Sequence, residues 1–164
     1  DVQPGFPDGA EDSVYTGQDP PHLAANMPVT RVSEIMVLPG FGVERYLRLK
    51  PYLSALPVGT PINVCTAPGV VLDSLSDETR EFSLNPDDLV NRRKDACFPT
   101  LEDMRGSLGD EAYNQVKNSL TESSSYFRAT IWVTIGTTQF TLYSLLARGA
   151  TGTVRPALRS FGSE

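Results

Sequence analysis

Apolar positions change their spacing twice along this chain. Residues 1–26 show no apolar period: Asp1, Gln3, Asp8, Glu11, Asp12, Asp19 and Asn26 are spread among Pro4, Gly5, Pro7, Gly9, Pro20 and Pro21. Such a segment has too little apolar surface to offset its ordering entropy through a core. From residue 27 to about 120 the apolar residues recur in short helical bursts. Val32, Ile35, Met36 and Leu38 fall on one helical face, which Pro39-Gly40-Phe41-Gly42 ends. Val43, Tyr46 and Leu47, with Lys50 as a further member, open a second helix that must bend or end before Pro51. Thr66 is the expected N-cap of a helix entered through Pro68, with Val71, Leu72 and Leu75 on one side. The clearest helix follows Asn85. This residue can cap, Pro86 occupies the first turn without wasting an N–H, and Asp87 and Asp88 face the positive end of the dipole. Arg92, Arg93 and Lys94 lie at its negative end. Thr100 with Asp103 has the form of a capping box for one more helix, and residues 113–120 are expected to form the last.

After residue 121 the period becomes two. Phe127, Ala129, Ile131, Val133 and Ile135 alternate with Arg128, Thr130, Trp132 and Thr134, the pattern of a half-buried strand. Gly136-Thr137-Thr138 turns the chain, and residues 139–146 return with Phe140, Leu142, Ser144 and Leu146 on one face. A third strand runs over residues 153–161, with Pro156 assigning it to an edge. The fold class read from this order is α+β: residues 1–26 acidic and irregular, 27–120 helical, 121–164 an antiparallel meander. Three strands need a cover for their apolar face, and no helix in the chain is long and apolar enough. The cover is therefore expected from a segment outside it.

Composition narrows the function. The chain has 164 residues and a formal net charge of -6, which argues against nucleic acid or anionic lipid as main partner. No apolar run approaches a membrane span. The chain opens on Asp1 without a starting Met and reads as a piece of something longer. Catalysis is poorly served. His22 is the one near-neutral acid–base group, and it sits in the turn-like Pro20-Pro21-His22-Leu23. The serines lack a nucleophile elbow, and Gly106-Ser107-Leu108-Gly109 lacks the lysine of a phosphate loop.

Two cysteines, Cys65 and Cys97, lack metal-site spacing. Both stand beside helix-boundary residues, Thr66 and Pro68 for one, Pro99 and Thr100 for the other. A disulfide is expected, with two buried thiols as the alternative. Such a bond would stabilise by roughly 3.5–4 kcal/mol through loop closure and would place the chain in an oxidising compartment. The acidic segment also has two readings, a solvated tail or a site for Ca²⁺, which takes about six to eight oxygens of this kind. Residues 32–47 form a helix-hairpin-helix pattern, whose backbone N–H groups meet phosphate in nucleic-acid proteins. With Arg45, Arg48 and Lys50 nearby that module is the runner-up, although net acidity favours simple packing.

The order of these signals is similar to a known family. Gly9-Ala10-Glu11-Asp12, Tyr15, Pro20-Pro21 and Ala25-Asn26-Met27-Pro28 resemble the linker of the K-type minor pseudopilin of the type II secretion system. Ser33-Glu34-Ile35 with Pro39-Gly40-Phe41 continues the likeness, and Leu56-Pro57 with Ile62-Asn63-Val64-Cys65-Thr66-Ala67-Pro68 and Val71-Leu72 is its most specific stretch. Cys65 departs from it, since asparagine is usual there. Tyr126-Phe127-Arg128, the run from Thr141 to Leu146 and Arg159-Ser160-Phe161-Gly162 close the pattern.

The resemblance implies a pilin-like antiparallel sheet with a large inserted all-helical domain and a hydrophobic N-terminal helix that this chain does not contain. It implies a structural subunit at the pseudopilus tip, assembled with I- and J-type minor pseudopilins, initiating the fibre and supporting export, with secreted substrate as a further contact. The implied location is the periplasmic face of a Gram-negative inner membrane, the membrane contact running through that helix alone. It also implies bound Ca²⁺, one or two ions, with Asp1, Gln3, Glu11 and Asp12 as leading ligands and Asp19 and Asn26 behind them. Gln3 would supply an amide oxygen where an acid is more usual, weakening the site. Asp8, in Pro-Asp-Gly, is expected to serve its turn. A calcium-stabilised adhesin-like domain is the third reading; it shares the ion and lacks the pseudopilin partners.

Overall fold

The structure, a computed structural model, describes residues 12–76 and 80–161. The chain separates into two compact units, Asp1–Thr60 and Pro61–Glu164.

In the first unit, α1 (Asp12–Tyr15) is a single turn inside the stretch expected to be irregular. It forms because Tyr15 has something to bury against: its side chain is buried and its ring lies 5.2 Å from that of His22. The predicted helix over residues 32–38 is present as a 3-10 helix, Val32–Val37. Glu34 opens it. Its Oε1 accepts from the Thr30 hydroxyl at 2.7 Å, the Thr30 N–H at 3.1 Å and the Arg31 N–H at 2.8 Å. These bonds, the Thr30 hydroxyl first, hold its carboxyl below the usual range despite some desolvation. The connection to α2 (Gly42–Leu49) needs glycine: Gly40 and Gly42 have φ of 69° and 71°, where a β-carbon is strained. Pro51 then restricts the chain to a short 3-10 turn, Lys50–Tyr52.

The second unit begins with β1 (Ile62–Asn63), followed by α3 (Gly69–Asp73), α4 (Glu81–Leu84), α5 (Pro86–Arg92) and α6 (Leu101–Val116). β2 (Leu120–Thr121) pairs in parallel with β1. β3 (Tyr126–Ile135), β4 (Thr138–Arg148) and β5 (Val154–Phe161) form the expected meander in the order β3-β4-β5. The architecture is α+β.

Local chemistry accounts for several helix starts. Asn85 Oδ1 accepts the Asp88 N–H at 3.2 Å. At α6, Thr100 Oγ1 accepts the Asp103 N–H at 3.1 Å, while Asp103 Oδ2 returns bonds to the Thr100 N–H and hydroxyl at 2.9 and 2.8 Å. Two expectations need correction. The last helix has other bounds than 113–120: α6 is two helical segments joined across non-helical Gly109 (φ 77°), the second ends at Val116, and Leu120 lies beyond it, paired as a strand with Ile62. Thr66 does not cap α3. It lies in a turn whose Thr66 and Ala67 N–H groups bond to Asn63 O, and α3 starts behind Pro68 with no side-chain cap.

The core of this unit is helical. Val64, Ala67, Leu72, Phe82, Leu89, Met104 and Leu120 are all buried, with Leu72, Met104 and Val64 sealed completely. Two features bring α3 against α4. Gly69 has no β-carbon, and one built there would lie 2.2 Å from Phe82 O. Asp73, itself buried, accepts the Phe82 and Ser83 N–H groups through its two oxygens at 3.0 and 2.8 Å, satisfying donors that a helix start leaves orphaned.

The sheet is different. Cross-strand partners share a face, so Phe127, Ile131, Val133 and Ile135 lie beside Leu146, Leu142, Phe140 and Thr138. Much of that face is open: Ile135 is 66% and Phe140 49% exposed. The edges are unlike each other. β5 carries Pro156, Arg155 and Arg159 and meets β4 through a register shift at Leu145/Leu146. β3 is ten residues long, without proline, and pairs to β4 in unbroken register.

Candidate functional site

Of the residues expected to hold an ion, Asp1, Gln3 and Glu11 lie outside the described residues. Asp12, Asp19 and Asn26 lie within them. Asp12, at the start of α1, accepts the Ala24 N–H on Oδ1 at 2.8 Å across twelve residues. Asn26 adopts a positive φ of 49° and donates through Nδ2 to Ala24 O at 3.4 Å. Asp12 and Asn26 thus converge on the two polar groups of one peptide residue, which closes the segment into a loop. Asp19 is exposed and precedes a cis Pro20. Among the described residues no group of three His, Cys, Asp or Glu side chains comes together as a metal site. His22 turns Nδ1 to Pro20 O at 3.1 Å, and its buried Nε2 has no partner among the described residues.

The hairpin of the first unit is assembled as expected, and the Phe41 N–H is committed to Leu38 O at 3.0 Å. A largely apolar hollow of about 700 Å³ lies between residues 18–22 and 36–42.

In the second unit Cys65 and Cys97 form a disulfide, their Cα atoms 4.8 Å apart and 32 residues distant in sequence. Arg93 fastens the same two segments. Its Nε donates to Phe98 O at 2.6 Å and its Nη2 to Val64 O at 2.8 Å, so it bonds the neighbour of each cysteine. Burial pushes its guanidinium below the usual value, although it remains a cation at neutral pH. The helix-dipole reading of Arg92, Arg93 and Lys94 missed this role, because only the fold brings Val64 and Phe98 within reach of one side chain. Arg92 is engaged separately, 3.2 Å from the centre of the Phe98 ring.

Asn63 and Glu122 were also not foreseen as fasteners. Asn63 Nδ2 donates to Ser124 Oγ at 2.8 Å while its Oδ1 takes the Cys65 N–H at 3.0 Å. Glu122 Oε1 accepts the Leu101 N–H at 2.7 Å at the start of α6. Ser124 is therefore held by Asn63, and Ser125 O accepts the Arg148 N–H at 2.7 Å. These residues wall a groove of about 490 Å³ between the disulfide and the first residues of the sheet. Among the described residues no helix is long and apolar enough to cross a membrane.

Comparison with known proteins gives a consistent picture. Residues 1–58 match the family model described as type II secretion system (T2SS), protein K. The type II secretion system protein K of Pseudomonas aeruginosa is 31% identical over 165 residues, covering 99% of this chain and 47% of the relative. That of Aeromonas hydrophila is 30% identical, covering 86% of this chain and 44% of the relative. The chain thus spans about half the length of the curated relatives it matches. Among solved structures, one chain of the GspK-GspI-GspJ complex of the enterotoxigenic Escherichia coli type 2 secretion system superposes with a TM-score of 0.78 at 26% identity. That match covers 95% of this chain and 56% of the other.

Proposed function

We infer the role of this chain from its kinship: it belongs to the type II secretion system protein K family. On that premise it is part of a structural, non-enzymatic minor pseudopilin. It sits at the tip of the pseudopilus, assembles with I- and J-type minor pseudopilins, initiates the fibre and supports export. The observation that carries this reading is the shared fold with the K subunit of a solved K–I–J complex, extending over nearly all of the chain.

The finer architecture follows from the same premise. Residues 1–26 and 121–164 belong to a pilin-like domain, and 27–120 form the inserted helical domain. The open apolar face of β3 and β4 supports this, because it is the surface that a hydrophobic stem helix would cover. Bulk in the helical insertion would prevent another subunit from stacking above. The protein would face the periplasm, anchored in the inner membrane through the stem. The disulfide agrees with that compartment.

Ca²⁺ belongs to the reading, with Asp1, Gln3, Glu11 and Asp12 as ligands and Asp19 and Asn26 as further candidates. Asp12 supports it, since a ligating carboxylate is itself oriented by hydrogen bonds, as this one is by Ala24. Calorimetric titration with Ca²⁺ after chelation is expected to give heat and a raised melting temperature; absence of both removes the ion. For the assembly, the full-length protein mixed with I- and J-type subunits is expected to elute as a ternary complex. Three separate peaks at micromolar concentration would refute the assignment.

A further inference from the structure

The groove beside the disulfide holds two arginines that make no ion pair among the described residues. Arg93 uses two of its five N–H groups on the neutral carbonyls of Phe98 and Val64, and no carboxylate among the described residues pairs with it. Burial lowers its titration from the usual value. Arg148 faces the same space from β4, its guanidinium carbon 5.6 Å from the centre of the Phe127 ring, and it too has no ion-pair partner among the described residues. Glu122, the acid on the rim, already accepts the Leu101 N–H. In a chain of net charge -6, a groove lined by two arginines and a single acid, Glu122, keeps an excess of positive charge among the described residues. A partly buried guanidinium whose charge is uncompensated gains most from an anion that completes its fork of donors.

We propose that this groove is a docking site for an extended segment of a partner protein, which places a Glu or Asp side chain between Arg93 and Arg148 and an adjacent apolar side chain on Phe127. Charge complementarity selects the acid. The ring of Phe127, 42% exposed, and the largely apolar lining select its neighbour. The walls are preorganised: Arg93 by its two carbonyls, and the Arg148 backbone by Ser125 O. The Arg93 guanidinium, already fixed on two carbonyls, loses little entropy on binding. The site stands on its own geometry and does not depend on the pseudopilin assignment.

The test uses the capped peptide Ac-Leu-Glu-Leu-NH2 and its isostere Ac-Leu-Gln-Leu-NH2, titrated into ¹⁵N-labelled protein while the arginine Nε–H resonances are followed. The expected result is saturable movement of the Arg93 and Arg148 signals with the Glu peptide and at least tenfold weaker binding of the Gln peptide. Arg148→Gln should weaken the Glu peptide about tenfold while leaving the Arg93 signal in place, which shows that the fold persists. Equal binding of the two peptides, no movement at millimolar peptide, or the same movement with acetate at equal concentration would each overturn the proposal.

Discussion

Replacing Gly69 by alanine sets two opposing effects against each other. Helix propensity favours the substitution by up to about 1 kcal/mol, because Gly69 opens α3 and alanine loses less backbone entropy. Packing opposes it. The new β-carbon would stand 2.2 Å from Phe82 O, 2.6 Å from Phe82 C and 3.0 Å from Ser83 N. A relaxed carbon–oxygen contact is about 3.3 Å, so α4 must retreat by about 1 Å. Backbone cannot rotate aside as a side-chain tip can. The retreat stretches the Asp73 bonds to the Phe82 and Ser83 N–H groups from 3.0 and 2.8 Å beyond hydrogen-bonding range. A lost bond to a buried charged group costs about 1.5–3 kcal/mol, and overpacking alone about 1–3. The net expectation is a loss of roughly 2–4 kcal/mol, since sterics exceed propensity. Urea denaturation followed by circular dichroism measures it, and hydrogen exchange should show the Phe82 and Ser83 amides losing protection. Gly106→Ala is the control: a β-carbon there meets nothing within 4 Å, so a gain of about 0.5–1 kcal/mol is expected. If Gly69→Ala is as stable as the parent, or the two amides keep their protection, the close-approach argument is wrong.

Three further outcomes follow from the same structure. Replacing both cysteines by serine should lower stability by about 3.7 kcal/mol for a loop of 32 residues, roughly 7–15 °C in Tm, while the Arg93 Nε–H signal persists; a loss below about 1 kcal/mol would refute the loop-closure account. Leu72→Ala, at a fully buried site, should cost about 2–5 kcal/mol in the same urea assay, and a neutral result would mean that the site is not packed. The backbone and hydroxyl of Thr100 hold the Asp103 carboxyl below its ordinary 3.8. Because the folded value lies under the unfolded one, this cap stabilises above the ordinary value and its contribution disappears as pH falls through the folded one. Carboxylate NMR should place Asp103 below 3.8, and Thr100→Val should move it up; an unchanged titration would sink the claim.

What could be read in advance was local. Asn85-Pro86 and Thr100 with Asp103 declare helix starts through neighbours in sequence, and the alternation from Phe127 to Ile135 declares a strand, because each signal acts within a few residues. Long-range arrangements were not legible. Ile62 pairs with Leu120 across 58 positions through two residues a side, too short for any period to show. Arg93 carried the composition of a helix C-terminus, and nothing around it in sequence announces Val64. The turn at Asp12 was hidden for a related reason: the proline-rich composition of residues 1–26 reads as irregular, whereas burial of Tyr15 and the reach of Asp12 to Ala24 depend on the loop closing. For the candidate ligands the residue types were informative and their mutual geometry was not.

The unequal flanks of the sheet limit how molecules could join through it. Pro156 and the two neighbouring arginines make the β5 side a poor template, while the β3 side offers ten residues of regular backbone. Were two copies to meet there edge to edge about a two-fold axis, the result would be one continuous six-stranded ribbon with a blunted strand at either end. Growth would then stop at the pair. Self-association through this route is thus self-limiting, and crowding the protein should yield dimers, with no ladder of larger species in sedimentation.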